Sequence, residues 1–311
     1  MYELVTIVVP TRDRKSRLLR TIATLAAQDY PAIEIIISDD GSQDGTCEAV
    51  TALCDYRIRV IRSTYSRGVS HARNSAIAEA RGDWIAVCDD DDFWVPSKIS
   101  SQIAYMKKHG GEWSFCQAVM VDDHLDIINA WAGVHDNQQF LRRIGYGNTV
   151  AGGCSSAIFS QSIFQKAGGG FDPQLSMLAD WDMWSRLARI SLPTPWPGYG
   201  TLYVMHGDQM SLNMDDIKKE AAIVRAKNAD FRTTYRNPLP LEGIDLFIVR
   251  RLCKGRKWRS AIKHALDAVI HRRGVGFFRA FTSFLSSMKG GVENEAIEAV
   301  ESVRSLLRAI N

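Results

Sequence analysis

Short apolar runs alternate with amphipathic stretches over the N-terminal third of the chain. Leu4 to Val9 is a continuous β-branched run halted by Pro10, the pattern of a strand buried on both faces. Ser16 to Gln28 follows, with Leu18, Leu19, Ile22 and Leu25 on one face of a helix. Ile33 to Ser38 predicts a second buried strand, closed by Asp39-Asp40-Gly41-Ser42, and a helix is expected from about Gly45 to Leu53. Ile58 to Arg62 gives a third strand, Val69 to Ala80 a helix, and Trp84 to Cys88 a fourth strand that runs into Asp89-Asp90-Asp91-Asp92. Beyond it, Trp113 to Met205 mixes strand patterns with glycine-rich turns, and Asp180 to Ile190 has helical spacing. From Asp215 the pattern is helical, with segments near 215–235, 241–252, 257–272, 275–288 and 292–310, which puts a boundary near residue 213.

Strands that alternate with crossover helices imply an α/β fold with a mostly parallel, Rossmann-like sheet flanked by helices. Ligands of such sheets bind beyond the carboxyl ends of the strands. Pro10-Thr11-Arg12-Asp13, Asp39-Asp40 and Asp89 to Asp92 all fall at such ends, so three polar clusters far apart in sequence are expected on one rim.

The four aspartates carry the strongest chemical signal. Consecutive carboxylates after a buried strand repel one another and call for a balancing cation. Hard oxygen ligands suit Mg²⁺ or Mn²⁺, which also bridge nucleotide phosphates and neutralise a leaving diphosphate. The alternative is a solvated acidic turn. Asp39, in a turn after the second strand, is either a partner for the imide N–H of a uracil or thymine or a helix cap.

Composition narrows the field. The chain has 311 residues, is 46% hydrophobic and carries a formal net charge of +3, too small to point to nucleic acid. Its six cysteines include no C-x-x-C pair, which suits reduced thiols in a cytoplasmic protein better than zinc or a disulfide framework. Met1-Tyr2-Glu3 begins no signal peptide, and no apolar run reaches the length of a membrane span.

Four motifs appear in order: Val5-Thr6-Ile7-Val8-Val9-Pro10-Thr11-Arg12-Asp13-Arg14, Ile35-Ile36-Ile37-Ser38-Asp39-Asp40-Gly41-Ser42, Gly68-Val69-Ser70-His71-Ala72-Arg73-Asn74, and Gly82 to Asp92. Together they resemble the motif series of family 2 glycosyltransferases, which have the type A (GT-A) fold. The resemblance covers roughly residues 3–210. It implies a catalytic domain over 1–213, with a nucleotide-binding half to about 110 and an acceptor half over 111–213, followed by a helical region over 214–311. It also implies roles. Pro10, Thr11 and Arg12 would line the nucleotide pocket, Asp39 would bind the base, and Arg73 and Asp90 would approach the donor. Asp89 and Asp91 match the two acids of the family's D-x-D, with Asp91 the expected direct metal ligand and Asp92 secondary. Arg12 stands where many relatives have an aromatic residue.

Leu178-Ala179-Asp180-Trp181-Asp182-Met183-Trp184-Ser185-Arg186-Leu187 resembles the family's E-D-x-D-L-W-x-R-L segment, whose second acid is the catalytic base. That acid maps to Asp180, which would take the proton of the acceptor hydroxyl; Ala179 replaces the usual Glu. Asp182 is expected to orient the acceptor or cap a helix. Trp181, Trp184 and Trp196 either form an acceptor platform or pack in the core. Gly168-Gly169-Gly170-Phe171-Asp172 resembles a structural turn of the family, and His206, in a stretch that resembles the domain's closing segment, would join the metal or the diphosphate.

The activity implied is inverting transfer of a sugar from a nucleotide-diphosphate sugar (a UDP-sugar, or a dTDP-sugar) to a glycan or lipid-linked saccharide, in cell-surface polysaccharide synthesis. The alternatives are a sugar nucleotidyltransferase, whose glycine-rich, arginine-containing first loop is missing, and an inactive relative acting as a membrane-associated scaffold. No G-x-G-x-x-G follows the first strand, which disfavours a dehydrogenase. In the tail, nine basic residues from Lys254 to Lys289 face one acid, Asp267, and Phe277, Phe278, Phe281, Phe284, Leu285 and Met288 form an apolar stripe. Three readings stay open there: an anionic membrane surface on the inner face of the plasma membrane, packing on the catalytic domain, or a homodimer interface.

Overall fold

The computed structural model describes residues 2–134, 136–207, 214–235 and 294–310. Strands β1 (Val5–Thr11) and β2 (Ile33–Asp39) are buried along their whole length and pair in parallel, from Val5 opposite Ile33 to Thr11 opposite Asp39. Strand β3 (Ile58–Arg62) lies parallel to β2, and β4 (Trp84–Val87) lies parallel to β1 on its other side. Strand β9 (Ala157–Ser160) runs antiparallel to β4, and β6 (Trp113–Phe115) closes the edge, giving the order β3-β2-β1-β4-β9-β6. The predicted mostly parallel α/β sheet is therefore present.

Helices α1 (Lys15–Ala26), α2 (Thr46–Thr51) and α3 (Val69–Ala78) are the crossovers. Alternation along β1 sorts its side chains between two cores. Val5, Ile7 and Val9 face Leu18, Ile22 and Leu25 of α1 and Ile99 and Ile103 of α4 (Lys98–His109); Val8 faces Ala76 and Ile77 of α3.

One boundary differs for a definite reason. Pro10 does not halt β1, which continues to Thr11. Val8 O accepts from Cys88 N and Thr11 O from Asp40 N, so Pro10 faces the β4 side. Strand β4 has ended there, and the missing N–H costs no ladder bond.

The middle segment forms a second, four-stranded sheet that the sequence pattern did not resolve: β5 (Phe93–Trp94), β10 (Tyr199–Val204), β7 (Gln117–Val121) and β8 (Ile127–Trp131), in that order. Helices α5 (Asn137–Ile144), α6 (Gln161–Lys166) and α7 (Ala179–Ala188) cover the face that carries Val8. The predicted 215–235 helix is two, α8 (Met214–Lys227) and α9 (Ala229–Thr234), and both enter that same core through Ile217, Ala221, Val224 and Phe231. The last helix, α10 (Asn294–Ile310), packs Ala296, Ala299, Val300 and Val303 on the second sheet. The expected helices near 241–252, 257–272 and 275–288, with the proposed membrane stripe, lie outside the described residues. Among the described residues, no helix is long and apolar enough to cross a membrane, and the cysteines are free thiols.

Candidate active site

Strand register brings the polar clusters together. Thr11, Asp39 and Arg62 sit side by side at the ends of β1, β2 and β3, and Asp89 to Asp92 form the turn between β4 and β5. The β1–α1 loop is clasped to the β2–α2 loop: Asp13 N donates to Ser42 Oγ at 2.8 Å, and Gln43 N to Asp13 Oδ1 at 2.7 Å. Asp13 holds a left-handed φ of 51° to do so, a conformation Asp tolerates better than most residues. Asp40 ties β2 to the start of α3 by accepting from Ser66 Oγ, Arg67 N and Gly68 N.

The four aspartates have four different environments. Asp89 is partly exposed and pairs with Arg73 at 2.6 Å. Asp90 is buried, with one oxygen accepting from Thr11 Oγ1 at 2.7 Å and the other from Arg14 NH1 at 3.0 Å. Asp91 receives Arg14 NH1 and lies 2.8 Å from His206 Nε2, both on its Oδ2. Asp92 is fully buried and accepts from Ser155 Oγ and Val204 N, so it pins the turn to the second sheet. Burial, aided by the charge of Asp91, pushes both Asp90 and Asp92 above the usual carboxylate range, while Arg14 and Thr11 pull Asp90 back. Asp90 therefore does more than space its neighbours: its two oxygens accept from Thr11 and Arg14. Arg14 and Arg73 supply positive charge to this turn.

Asp39 is 1% exposed. Its carboxylate accepts from Ser42 N at 2.9 Å and from the Cys47 thiol at 2.8 Å, with Arg62 Nε at 3.5 Å. Burial, with the carboxylate beside it, pushes the Cys47 thiol up to about 12, so it stays a protonated donor. Pro10 and Thr11 are buried, whereas Arg12 is exposed at the rim beside Asp13. Arg73 is buried, lies over the Phe171 ring and leaves its Nε without a protein partner.

Asp180 stands in the first turn of α7, partly exposed. Asn148 Nδ2 donates to its Oδ2 at 2.6 Å and Trp181 N to its Oδ1 at 2.7 Å. Gly153, at a φ of 56°, leaves the room Asp180 needs: a Cβ built there would lie 3.1 Å from Asp180 Oδ2. Burial pushes Asp180 up to about 6; Arg73, the Trp181 N–H and Asn148 moderate the rise, and Asp89 adds to it. A carboxylate with that proton affinity is ionised at neutral pH and still basic enough to accept a proton.

Two expected acceptor residues face the other way. Trp181 is fully buried, with its indole N–H on Ile144 O, and Trp184 stacks on Trp113 in the core. Asp182 is 2% exposed and paired with Arg186 and Lys227. Helix α7 is buried nearly all round, and Asp180, at its N-terminal end, is one of its few partly exposed residues. Nor do the three expected metal ligands converge. Asp91 and His206 meet, Asp89 is turned to Arg73, and no group of three His, Cys, Asp or Glu forms among the described residues. A carboxylate and an imidazole still fit a divalent cation whose remaining positions come from a diphosphate. Arg14, Asn148, Cys47 and Ser155 were missed; short motifs do not reveal such cross-chain partners.

The fold and this acid-lined rim are those of a glycosyltransferase. Residues 6–168, just over half of the chain, match the family model described as glycosyl transferase family 2, and the chain belongs to that family. It is 41% identical over 105 residues to the UDP-Glc:alpha-D-GlcNAc-diphosphoundecaprenol beta-1,3-glucosyltransferase WfaP of Escherichia coli, a stretch covering 34% of this chain and 42% of that relative. It is 27% identical over 212 residues to the putative colanic acid biosynthesis glycosyl transferase WcaA of Escherichia coli K12, covering 65% of this chain and 72% of the relative. Among solved structures, Staphylococcus aureus TarS 1–349 with UDP superposes with a TM-score of 0.55 at 16% identity, over 99% of this chain and 92% of that one. A Pyrobaculum calidifontis mannosyltransferase with GDP-Man and Mn²⁺ gives 0.55 at 16% identity, over 100% of this chain and 86% of that one. Family membership removes the sugar nucleotidyltransferase alternative.

Proposed function

We propose that this chain transfers a sugar from a UDP-sugar to a lipid-linked saccharide with inversion at the anomeric carbon, in polysaccharide synthesis. The observation that carries this reading is Asp180. It is a partly exposed carboxylate of raised proton affinity, near enough to Arg73 and Asp89 to feel their charges. The acceptor hydroxyl attacks the anomeric carbon, its proton passes to Asp180, and the bond to the diphosphate breaks with the electron pair leaving on UDP. One displacement uses one base, and no second carboxylate is needed on the opposite face.

Asp39 and the exposed Arg12 serve the nucleobase, the first by accepting the imide N–H and the second by stacking its guanidinium. Arg73, whose Nε lacks a protein partner, serves the diphosphate. Asp91 and His206 would hold a divalent cation; one neighbour in fold, the mannosyltransferase, is described in complex with GDP-Man and Mn²⁺. Bound there, the cation supplies Lewis-acid stabilisation of the leaving diphosphate. UDP is favoured because the glucosyltransferase relative is named for UDP-Glc, and the same name supplies the diphosphoundecaprenol-linked acceptor.

The test is the product. With UDP-glucose and a GlcNAc-diphospholipid acceptor, NMR of the new linkage should read β from the α-configured donor, and an α linkage refutes inversion. Asp180→Asn should keep UDP affinity and lose turnover by about three orders of magnitude or more; a near-normal rate moves the base elsewhere.

A further inference from the structure

The loop that delivers Asp180 has a support outside the stretch matched by the family model. Ser176, Met177 and Leu178 lead into α7, and their three backbone N–H groups meet one carboxylate. Ser176 N donates to Glu220 Oε1 at 3.0 Å, and Met177 N and Leu178 N donate to Oε2 at 2.9 Å each. Leu178 occupies the N-cap position and offers no side-chain cap to the orphan donors of the first turn. Nor does Ala179, where the resembling segment has Glu. Glu220, from α8 and 8% exposed, takes the three N–H groups just before that turn.

Helix α8 is built to hold it there. Ile217, Ala221 and Val224 are buried on the face that carries Glu220. Two turns on, Lys227 reaches Asp182 of α7 at 3.0 Å and also pairs with Asp172. The far end of the loop is tied to α3, where Ser70 Oγ donates to Leu175 O. Asp180 lies two residues beyond Leu178, so its direction follows from where this backbone is fixed.

We propose that Glu220 is a positioning residue for the transfer reaction: by clamping the 176–178 backbone it sets the place of Asp180, and α8 thereby belongs to the catalytic apparatus without touching a reacting atom. The proposal rests on Asp180 being the base. A carboxylate displaced by about 1 Å can lose on the order of a hundredfold in rate.

The experiment compares the full chain with Glu220→Ala, Glu220→Gln and Asp180→Asn, using UDP-glucose and the GlcNAc-diphospholipid acceptor, with hydrogen exchange of residues 176–178 read in parallel. Glu220→Ala should lower kcat about ten- to a hundredfold, leave the donor KM within about twofold and lose amide protection at 176–178. Glu220→Gln keeps one acceptor oxygen and should fall between Glu220→Ala and wild type. Full kcat in Glu220→Ala despite lost protection overturns the proposal, as does unchanged protection. If the alanine variant does not fold, the glutamine variant decides: reduced kcat at unchanged KM supports the role, and wild-type kcat with reduced protection overturns it. Activity in Asp180→Asn would remove the base itself. An inactive Asp180→Asn beside a fully active Glu220→Ala removes Glu220 alone.

Discussion

Burial raises the proton affinity of the proposed base, and Asn148 is one of the groups that lower it, after Arg73 and the Trp181 N–H. The Asn148 amide cannot turn freely: Oδ1 accepts from Val150 N at 3.0 Å, so Nδ2 is held toward Asp180. That hydrogen bond favours the ionised carboxylate and opposes the burial that raises Asp180 to about 6. The base works deprotonated, so kcat/KM falls about tenfold per pH unit below that value. A hydrogen bond to a charged group is worth about 1.5–3 kcal/mol, and one pKa unit is about 1.4 kcal/mol. Asn148→Ala should therefore move the acid limb up by roughly one to two units, to about 7–8. At pH 7 the ionised fraction would drop from about 90% to roughly 10–50%, with recovery near pH 9. The Val150 N–H also loses its partner, at about 1 kcal/mol of stability, but that loss does not move a pH limb. Profiles of kcat/KM from pH 5 to pH 9 on both proteins decide the matter. A uniform drop with the limb still near 6 would show that Asn148 does not act through the proton affinity of Asp180.

Further expectations follow from the same geometry. Asp180 binds its proton more tightly in the folded chain, at about 6 against 3.8 for an unperturbed aspartate, so its ionisation costs stability as pH rises from about 4 through about 6. Asp180→Asn should then be more stable than wild type at pH 7.5 by up to about 3 kcal/mol, with the gap closing below about pH 4; equal melting temperatures at pH 7.5 would contradict the raised proton affinity of Asp180. Asp91→Ala should abolish the Mn²⁺-dependent part of UDP binding in calorimetry, and unchanged affinity would remove Asp91 from the cation site. Replacing Lys257, Arg259, Lys263, Arg272 and Arg273 by Gln should reduce flotation with anionic vesicles if that region meets a membrane. Equal flotation of both proteins would favour packing or dimerisation.

Much of the sheet was legible because its strands are buried on both faces and read as unbroken apolar runs. Val5–Thr11 and Ile33–Asp39 are such strands, and a polar rim at their ends followed from parallel pairing alone. The second sheet was not legible. Its β5 has two residues, and its neighbours β10 and β7 come from segments some eighty residues apart in the chain. Asp180 was singled out because it matches the second acid of the segment it resembles. Trp181 and Asp182 are buried, and a motif gives residue types without showing which of them the fold encloses. The partners that tune the site, Asn148 to Asp180 and Arg14 to Asp90 and Asp91, lie 32 and about 76 residues away in sequence. Only the folded chain puts them together.

The two guanidiniums on the acidic turn have a consequence for how the protein can be studied. With Arg14 spanning Asp90 and Asp91 and Arg73 on Asp89, the rim carries its own counter-charges before any ligand arrives. A ligand that binds this rim and not the unfolded chain stabilises the folded protein by an amount that rises with its affinity. A rise in melting temperature across a panel of donors should then rank them by affinity, making ligand-dependent stability a direct route to the natural substrate.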